Sequence, residues 1–442
     1  MSALAELFAR RGVKVTGCGT NPAAARGDLS RLGIEVMDGH SPAHVAGARA
    51  VVFTSAMGRD HPELIAARNA GIPVIRRAEA LGAAVSSGDV VGIAGTHGKT
   101  TTTVMTTTAL RSAGLDPTGI AGGRVAEWDG NMSFGSDQLF VVEADEYDRS
   151  FLALDPAIAV VTNVEADHLD IYADLADIRS TFGRYVSGAR AIVLCADDTG
   201  ASSLELPATA EVIRYGLNSP DARLVARDVR PNDTGSSFVV HYDGEEKCEV
   251  TLRVPGVHNV RNALAAIGAG IALGVEPARL VPGLGEFTGV ERRFQRIADV
   301  DGVMIVDDYA HHPTEIAATI EAARASFPGR RLVLAFQPHL YSRTRDFAGE
   351  FGQALSGADA IFLTELYPAR EQPIPGVSSD LIERAVASAG GSLTWRGERP
   401  ALAEALSTRV LPGDVVITVG AGDITRTARE LRDILLSSTK NT

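Results

Sequence analysis

The string Gly95-Thr96-His97-Gly98-Lys99-Thr100-Thr101 concentrates the residue types best suited to handling phosphate. It lies between an apolar run at residues 90–94 and a Thr-rich segment of helical pattern. A glycine turn between a strand and a helix lets backbone N–H groups curl around phosphate oxygens at the positive end of the helix. Lys99 can neutralise terminal phosphates, and Thr100 can offer its hydroxyl to Mg²⁺. The position five before Gly98 is Ile93, so the strict G-x-x-x-x-G-K-[ST] spacing is not met and the loop reads as a shorter variant.

Acidic and imidazole groups recur at other strand ends. The apolar run 139–142 leads into Glu143-Ala144-Asp145-Glu146-Tyr147-Asp148. A carboxylate at the carboxyl end of a strand beside a phosphate loop can hold Mg²⁺ directly or through water, which makes Glu143 a candidate and leaves Asp148 as solvated loop charge. His168 follows the run 158–162 at a corresponding point, and beside Thr100 and Glu143 it becomes a third candidate metal ligand. Asn163 is not followed by Lys-x-Asp, so the guanine-reading element of a GTPase is absent and ATP is the expected nucleotide. His258, Asn259 and Asn262 enter a helix on which the two asparagines share a face; Asn259 suits a cap and Asn262 a base contact. Further on, Glu291-Arg292-Arg293-Phe294, Asp307-Asp308-Tyr309-Ala310-His311-His312-Pro313 and Gln337-Pro338-His339-Leu340-Tyr341-Ser342-Arg343 cluster around strand ends. Arg293 and Arg343 can grip phosphate or carboxylate bidentately, while Arg292 and Arg345 read as surface ion pairs.

These groups need a scaffold of parallel strands. Short apolar runs alternate with Ala-rich amphipathic segments, punctuated by 45 Gly and 20 Pro, which indicates an α/β fold. A chain of 442 residues suggests about three domains at roughly 150 residues each. The expected units are 1–86 (helix 3–10; strands 13–16, 34–37, 51–54 and 74–75), 87–289 and 290–442, with a Ser/Gly break at Ser86, Ser87 and Gly88. Lys plus Arg number 42 against 55 Asp plus Glu, an acidic balance that disfavours nucleic acid as a partner. The longest apolar stretch, 263–275, is too short and Gly/Ala-rich to span a bilayer, and the amino terminus lacks the pattern of a secretory signal, so a cytoplasmic place is expected. Cys18, Cys195 and Cys248 are widely spaced, indicating reduced structural thiols with neither disulfides nor a CxxC metal site. A dehydrogenase is disfavoured, because Gly17-Cys18-Gly19 and Gly420-Ala421-Gly422 both lack the third glycine of a dinucleotide fingerprint.

Taken together, GTHGKTTTT, EADEYDRSFL, TNVEADHLD, HNVRNALAA, GVERRFQ, DDYAHHPTEI, FQPHLYSRT, YPAREQPIPGVS and GAGDI make a sequence that resembles the Mur ligases of peptidoglycan synthesis over almost its whole length. The resemblance implies a UDP-sugar-binding Rossmann-like domain, a central P-loop ATPase domain and a Rossmann-like carboxyl-terminal domain that closes on ATP. It implies an ATP-dependent ligase, with Mg²⁺, that phosphorylates the lactyl carboxylate of UDP-N-acetylmuramate so that an amine can attack the acyl phosphate. Lys99, Glu143, His168 and Arg293 would then serve catalysis. His258, Asn259 and Asn262 fall in the adenine-binding string and Asp308 at the ribose contact. Tyr309, His311, His339 and Arg343 fall where the family holds the muramyl substrate and amino acid, and Arg343 would clamp the amino-acid carboxylate. TNVEADHLD and FQPHLYSRT favour L-alanine over the recycled tripeptide that a close relative joins to the same sugar. A monomer or homodimer acting on these small molecules is implied.

One departure concerns the front. The family opens with a strand and a G-x-G-G-x-G-M-S loop for the substrate diphosphate, and this sequence begins at the Met-Ser of that loop, which suggests an internal Met taken as the start. His40 and Ser55 remain as uridine-side contacts. The alternatives are a tripeptide-recycling, folate-type or cyanophycin-type Mur-fold ligase, or a nucleotide-binding relative inactivated by the truncated front.

Overall fold

The apolar runs become strands of four sheets, two of them large, in a computed structural model that describes residues 1–20, 23–54, 57–58, 60–231 and 235–439. At the front, the helix Ser2–Arg10 buries Ala3, Leu4 and Leu7 on one face, against Leu81, Ala84, Met132 and Phe140 of the chain that follows. Arg11 reinforces this contact, its Nη2 donating to Asp137 at 2.6 Å and its Nη1 to the Ala84 carbonyl at 2.6 Å. Strands β1 (Thr16–Gly19) and β2 (Glu35–Asp38) pair in parallel, as do β3 (Val51–Phe53) and β4 (Val74–Arg76), and the two pairs are separate sheets. The first strand expected at 13–16 therefore lies three residues later. The preceding helix closes through Gly12, at φ +78°, and a 3.0 Å bond from Val13 N–H to the Phe8 carbonyl, which leaves Val13 exposed.

A ten-stranded sheet forms the middle of the molecule. Its spatial order is β14 (Glu245–Leu252), β13 (Ser236–Tyr242), β12 (Leu224–Pro231), β11 (Glu211–Gly216), β10 (Ala191–Cys195), β9 (Ile158–Val161), β5 (Asp89–Ala94), β8 (Ser136–Glu143), β6 (Pro117–Val125) and β7 (Gly130–Ser133). After its first residue β5 is buried throughout, and β9 and β10 are wholly buried, as continuous Val/Ile runs in a sheet covered on both faces should be. β5 lies between β8 and β9, all parallel, so chain leaving β5 enters a gap between two diverging connections. Such a crevice at strand carboxyl ends is the usual ligand position of an open α/β sheet. The helices Lys99–Ser112 and Val257–Ala272 cover one face, contributing Val104, Met105, Leu110, Val260, Leu264 and Ile267 to the core.

The third body is a six-stranded sheet in the order β15 (Gln295–Val300), β16 (Val303–Asp308), β20 (Val415–Val419), β17 (Leu332–Phe336), β18 (Ala360–Thr364) and β19 (Trp395–Gly397), parallel except for β15. Register places Asp308 and Phe336 opposite Val419, so the segments after β16, β17 and β20 share one edge. Among the described residues no helix is long and apolar enough to cross a membrane.

Candidate active site between the central and carboxyl-terminal sheets

The turn after β5 is built around two glycines that no other residue could replace without movement. Gly95 has φ +141°, and a Cβ there would lie 2.0 Å from Thr162 Oγ1; Gly98 has φ +81°, and a Cβ would lie 2.7 Å from Asn262 Oδ1. The segment after β9 holds the turn open: Asn163 Oδ1 accepts from His97 N–H at 2.7 Å, Thr162 Oγ1 donates to the His97 carbonyl at 2.6 Å, and Thr96 Oγ1 accepts from Glu165 N–H at 2.9 Å. Lys99 opens the following helix and folds back, its Nζ donating to the Gly95 carbonyl at 2.6 Å and to Glu146 Oε2 at 2.7 Å. Burial alone would lower its pKa, but Glu146, Asp145 and Glu143 outweigh that and push it up to about 12, so it stays cationic.

Register aligns Glu143 with Ile93 of β5, beside the turn. Thr100 Oγ1 donates to Glu143 Oε1 at 3.0 Å, while burial raises the carboxyl's pKa against the Gly122 N–H and Lys99. His168, at φ +53°, brings Nε2 to 3.7 Å from Glu146 Oε1, and burial pushes its pKa down to about 4, leaving a neutral imidazole. Glu146 Oε1 and His168 Nδ1 are buried with no hydrogen-bond partner. Oxygen donors from Thr100 and Glu143, with the unsatisfied oxygen of the Glu146 carboxylate that Lys99 grips, are chemistry that fits a hard divalent cation together with phosphate.

A cleft of about 300 Å³ runs from this turn toward the third sheet, lined by His97, Asn163, His258, Asn259, Asn262, Arg293, Asp308 and Glu315 among others. Asn262 Nδ2 donates to Asn259 Oδ1 at 3.2 Å, and Asn259 Nδ2 to the Pro255 carbonyl at 2.7 Å. Burial holds His258 neutral, with its pKa at about 4. Asp308 caps its own strand end, accepting from Ala310 N–H at 2.8 Å and Phe294 N–H at 2.9 Å, and burial raises its pKa to about 6. Arg293 Nη1 donates to Glu315 Oε1 at 3.3 Å.

The remaining candidates form an adjoining cluster. His311 Nδ1 lies 3.0 Å from the Tyr309 carbonyl and 3.1 Å from Glu315 Oε2; its ring meets that of His339 edge-on at 6.1 Å. Arg343, expected to clamp the amino-acid carboxylate, is not free in this structure: it is buried and engaged by Asp167, its Nη2 reaching the two carboxylate oxygens at 2.7 and 3.0 Å. Arg292 is no surface pair either: its Nη2 donates to the Gly420 carbonyl at 2.6 Å and ties β20's end to the third sheet's entry. Arg345 does pair with Asp346 in solvent at 2.6 Å. His40 sits in the front body, hydrogen-bonded to Glu63, and Ser55 lies outside the described residues. Sequence reasoning passed over Glu146, Asn163, Glu165, Asp167 and Glu315. Glu315 had a signal, the third position of a helix that Pro313 opens, where a carboxylate caps backbone N–H groups.

The chain is similar to known proteins along nearly its whole length. Family models for the Mur ligase family catalytic domain, the Mur ligase middle domain and the Mur ligase glutamate ligase domain match residues 1–88, 93–270 and 292–422. The UDP-N-acetylmuramate–L-alanine ligase of Cutibacterium acnes is 45% identical over 96% of this chain and 91% of its own length; that of Rubrobacter xylanophilus is 44% identical over 98% and 96%. The solved UDP-N-acetylmuramate–alanine ligase of Thermotoga maritima superposes with a TM-score of 0.84 at 29% identity, covering 99% of this chain and 97% of that one. The murein peptide ligase of Psychrobacter arcticus follows at 0.72 and 25%, over 98% and 96%. With family models matched along all three parts of the chain and a relative 45% identical over 96% of it, the chain belongs to the Mur ligase family.

Proposed function

We propose that this chain joins L-alanine to the lactyl carboxylate of UDP-N-acetylmuramate, converting ATP to ADP and phosphate. The observation that carries the reading is the cleft itself, where His97, Gly98 and Thr101 of the phosphate turn and Arg293 of the opposite sheet line one space, in a chain 45% identical to a ligase of that name.

Both reactants of the first step are anionic. A lactyl carboxylate oxygen must attack the terminal phosphorus of ATP, and ADP must leave. Lys99 and Arg293 offset that repulsion, and the backbone N–H groups of the turn orient the phosphates. Asn259 and Asn262 present amide groups to the base, and Asp308 an acceptor to the ribose. The second step forms the C–N bond as the alanine amine attacks the acyl phosphate carbon and phosphate departs; Tyr309, His311, His339 and Arg343 are the groups proposed to place these substrates. Thr100, Glu143 and His168 would hold Mg²⁺, which supplies charge neutralisation at the transferring phosphoryl group. In this reading the chain works in the cytoplasm as three units, 1–86, 87–289 and 290–442.

ADP release measured with ATP, Mg²⁺ and UDP-N-acetylmuramate, without amine, with L-alanine and with the stem tripeptide, tests the proposal. Stimulation by L-alanine is expected. Stimulation by the tripeptide alone would replace it with a recycling ligase, and tight ATP binding with no turnover under any condition would make the chain an inactive relative.

A further inference from the structure

Away from the nucleotide cleft, four metal-ligating side chains from four segments of the front body converge on one carboxylate, that of Glu63. Cys18 lies on β1, His40 directly after β2, His44 in the short turn Pro42–Val45, and His61 and Glu63 at the start of the helix Pro62–Asn69 that follows β3. Glu63 is 4% exposed. Its Oε1 accepts from Ser41 N–H at 2.9 Å and lies 2.8 Å from His44 Nδ1, while Oε2 lies 3.2 Å from His40 Nδ1 and 3.9 Å from His61 Nδ1. Cys18 Sγ is 3.2 and 3.3 Å from the two oxygens and 3.6 Å from His40 Nδ1.

A buried carboxylate needs partners, but it does not need a thiol and three imidazoles of this geometry. Zinc bonds of about 2.0–2.3 Å in a tetrahedron separate neighbouring donor atoms by roughly 3.3–3.8 Å. Cys18 Sγ, His40 Nδ1 and Glu63 Oε2 form a triangle with sides of 3.6, 3.2 and 3.3 Å, close to one face of such a tetrahedron. His44 Nδ1 lies beside the other carboxylate oxygen, 2.8 Å from Oε1, with a ligand atom within 4.8 Å of those of Cys18 and Glu63, and would complete the set on rotation of that carboxylate. We propose that Cys18, His40, His44 and Glu63 bind one zinc-class transition-metal cation. The mixed sulfur, nitrogen and oxygen set selects a softer ion than the oxygen-rich Thr100–Glu143 site does. The cation would also staple the two otherwise separate strand pairs, since Cys18 and His40 belong to β1–β2 while Glu63 follows β3.

The full chain, stripped by chelator, is titrated with Co²⁺ and followed by absorption. One Co²⁺ per chain with a thiolate-to-cobalt charge-transfer band is expected, and Zn²⁺ should displace it and raise the unfolding temperature. Cys18→Ser should remove the band, and His44→Ala should weaken binding about tenfold or more. A second readout uses the unaltered chain: Zn²⁺, but not Mg²⁺, should slow alkylation of Cys18 and leave the rates at Cys195 and Cys248 unchanged, as read by peptide mass. Absence of the band, its survival in Cys18→Ser, or Cys18 alkylation indifferent to Zn²⁺ would overturn the proposal.

Discussion

Lys99 shows how one side chain can be held ready for a charge that has yet to arrive. In the structure its ammonium is shared between the Gly95 carbonyl and Glu146, and phosphate entering the turn would exchange those partners for stronger anionic ones. Lys99→Met should lower kcat by about 10²–10³-fold, the usual loss when one donor to a developing charge is removed. Far-ultraviolet circular dichroism should be unchanged, because the helix keeps its first residue. His97 makes a different prediction. Burial would lower its pKa, but Glu315 at 3.3 Å and Glu165 at 3.7 Å raise it from 6.5 to about 9. A histidine whose folded-state pKa is raised contributes stability that is full below the unfolded value and lost as pH rises through the folded one. The difference in unfolding temperature between the parent and His97→Gln, without nucleotide, should therefore be largest below about pH 6.5 and vanish as pH rises through about 9. A difference independent of pH would show that packing, not charge, is what the imidazole supplies. These two residues were legible in the sequence because they belong to one contiguous string. Their carboxylate partners were not read as such, since Glu146 and Glu165 come from two separate loops and Glu315 from the first turn of a helix, and they meet the turn only by convergence.

At the scale of the element, the β5–turn–helix unit was plain from sequence: continuous burial on both faces leaves a Val/Ile run with no polar alternation, and a glycine turn must follow. Gly95→Ala tests that unit directly. At φ +141°, with Thr162 Oγ1 2.0 Å from the new methyl, the turn would have to reshape, and backbone strain of about 1–3 kcal/mol corresponds to roughly a 10–100-fold loss. Calorimetric titration should show ATP affinity falling by that order while the unfolding temperature moves only slightly. Unchanged affinity would mean that the turn is not the phosphate cradle. Other elements were less legible for stated reasons. β1 starts at Thr16 rather than Val13 because the helix before it is closed by a glycine whose positive φ the sequence does not announce. The Cys18 cluster escaped because a spacing rule such as CxxC finds donors within one loop, whereas these are distributed over four segments.

Across the whole molecule, the central and carboxyl-terminal sheets are joined by contacts concentrated on the segment after β9. Asp167 receives Arg343, the Ala166 carbonyl lies 3.2 Å from His312 Nε2, and Glu165 Oε2 accepts from Thr314 Oγ1 at 2.7 Å. The same segment holds the phosphate turn through Asn163, so the seam between the sheets and the nucleotide site are mechanically one structure. The Asp167–Arg343 pair is the strongest test of that coupling. Both partners are less than a tenth exposed, and Arg343 helps hold the aspartate pKa far below its ordinary value against the effect of burial. Removing one partner strands the other charge, at a cost of about 3–5 kcal/mol, whereas replacing both by apolar groups avoids most of it. Asp167→Asn alone should loosen the seam, visible as a larger radius of gyration in small-angle scattering and faster amide exchange in residues 163–168 and 309–315, with weaker ATP binding because the turn loses its support. Asp167→Leu combined with Arg343→Met should restore much of the compactness. If the single variant scatters like the parent and binds ATP equally well, the two sheets are held by the rest of the seam, and the buried pair serves the substrate pocket rather than the docking of one sheet on the other.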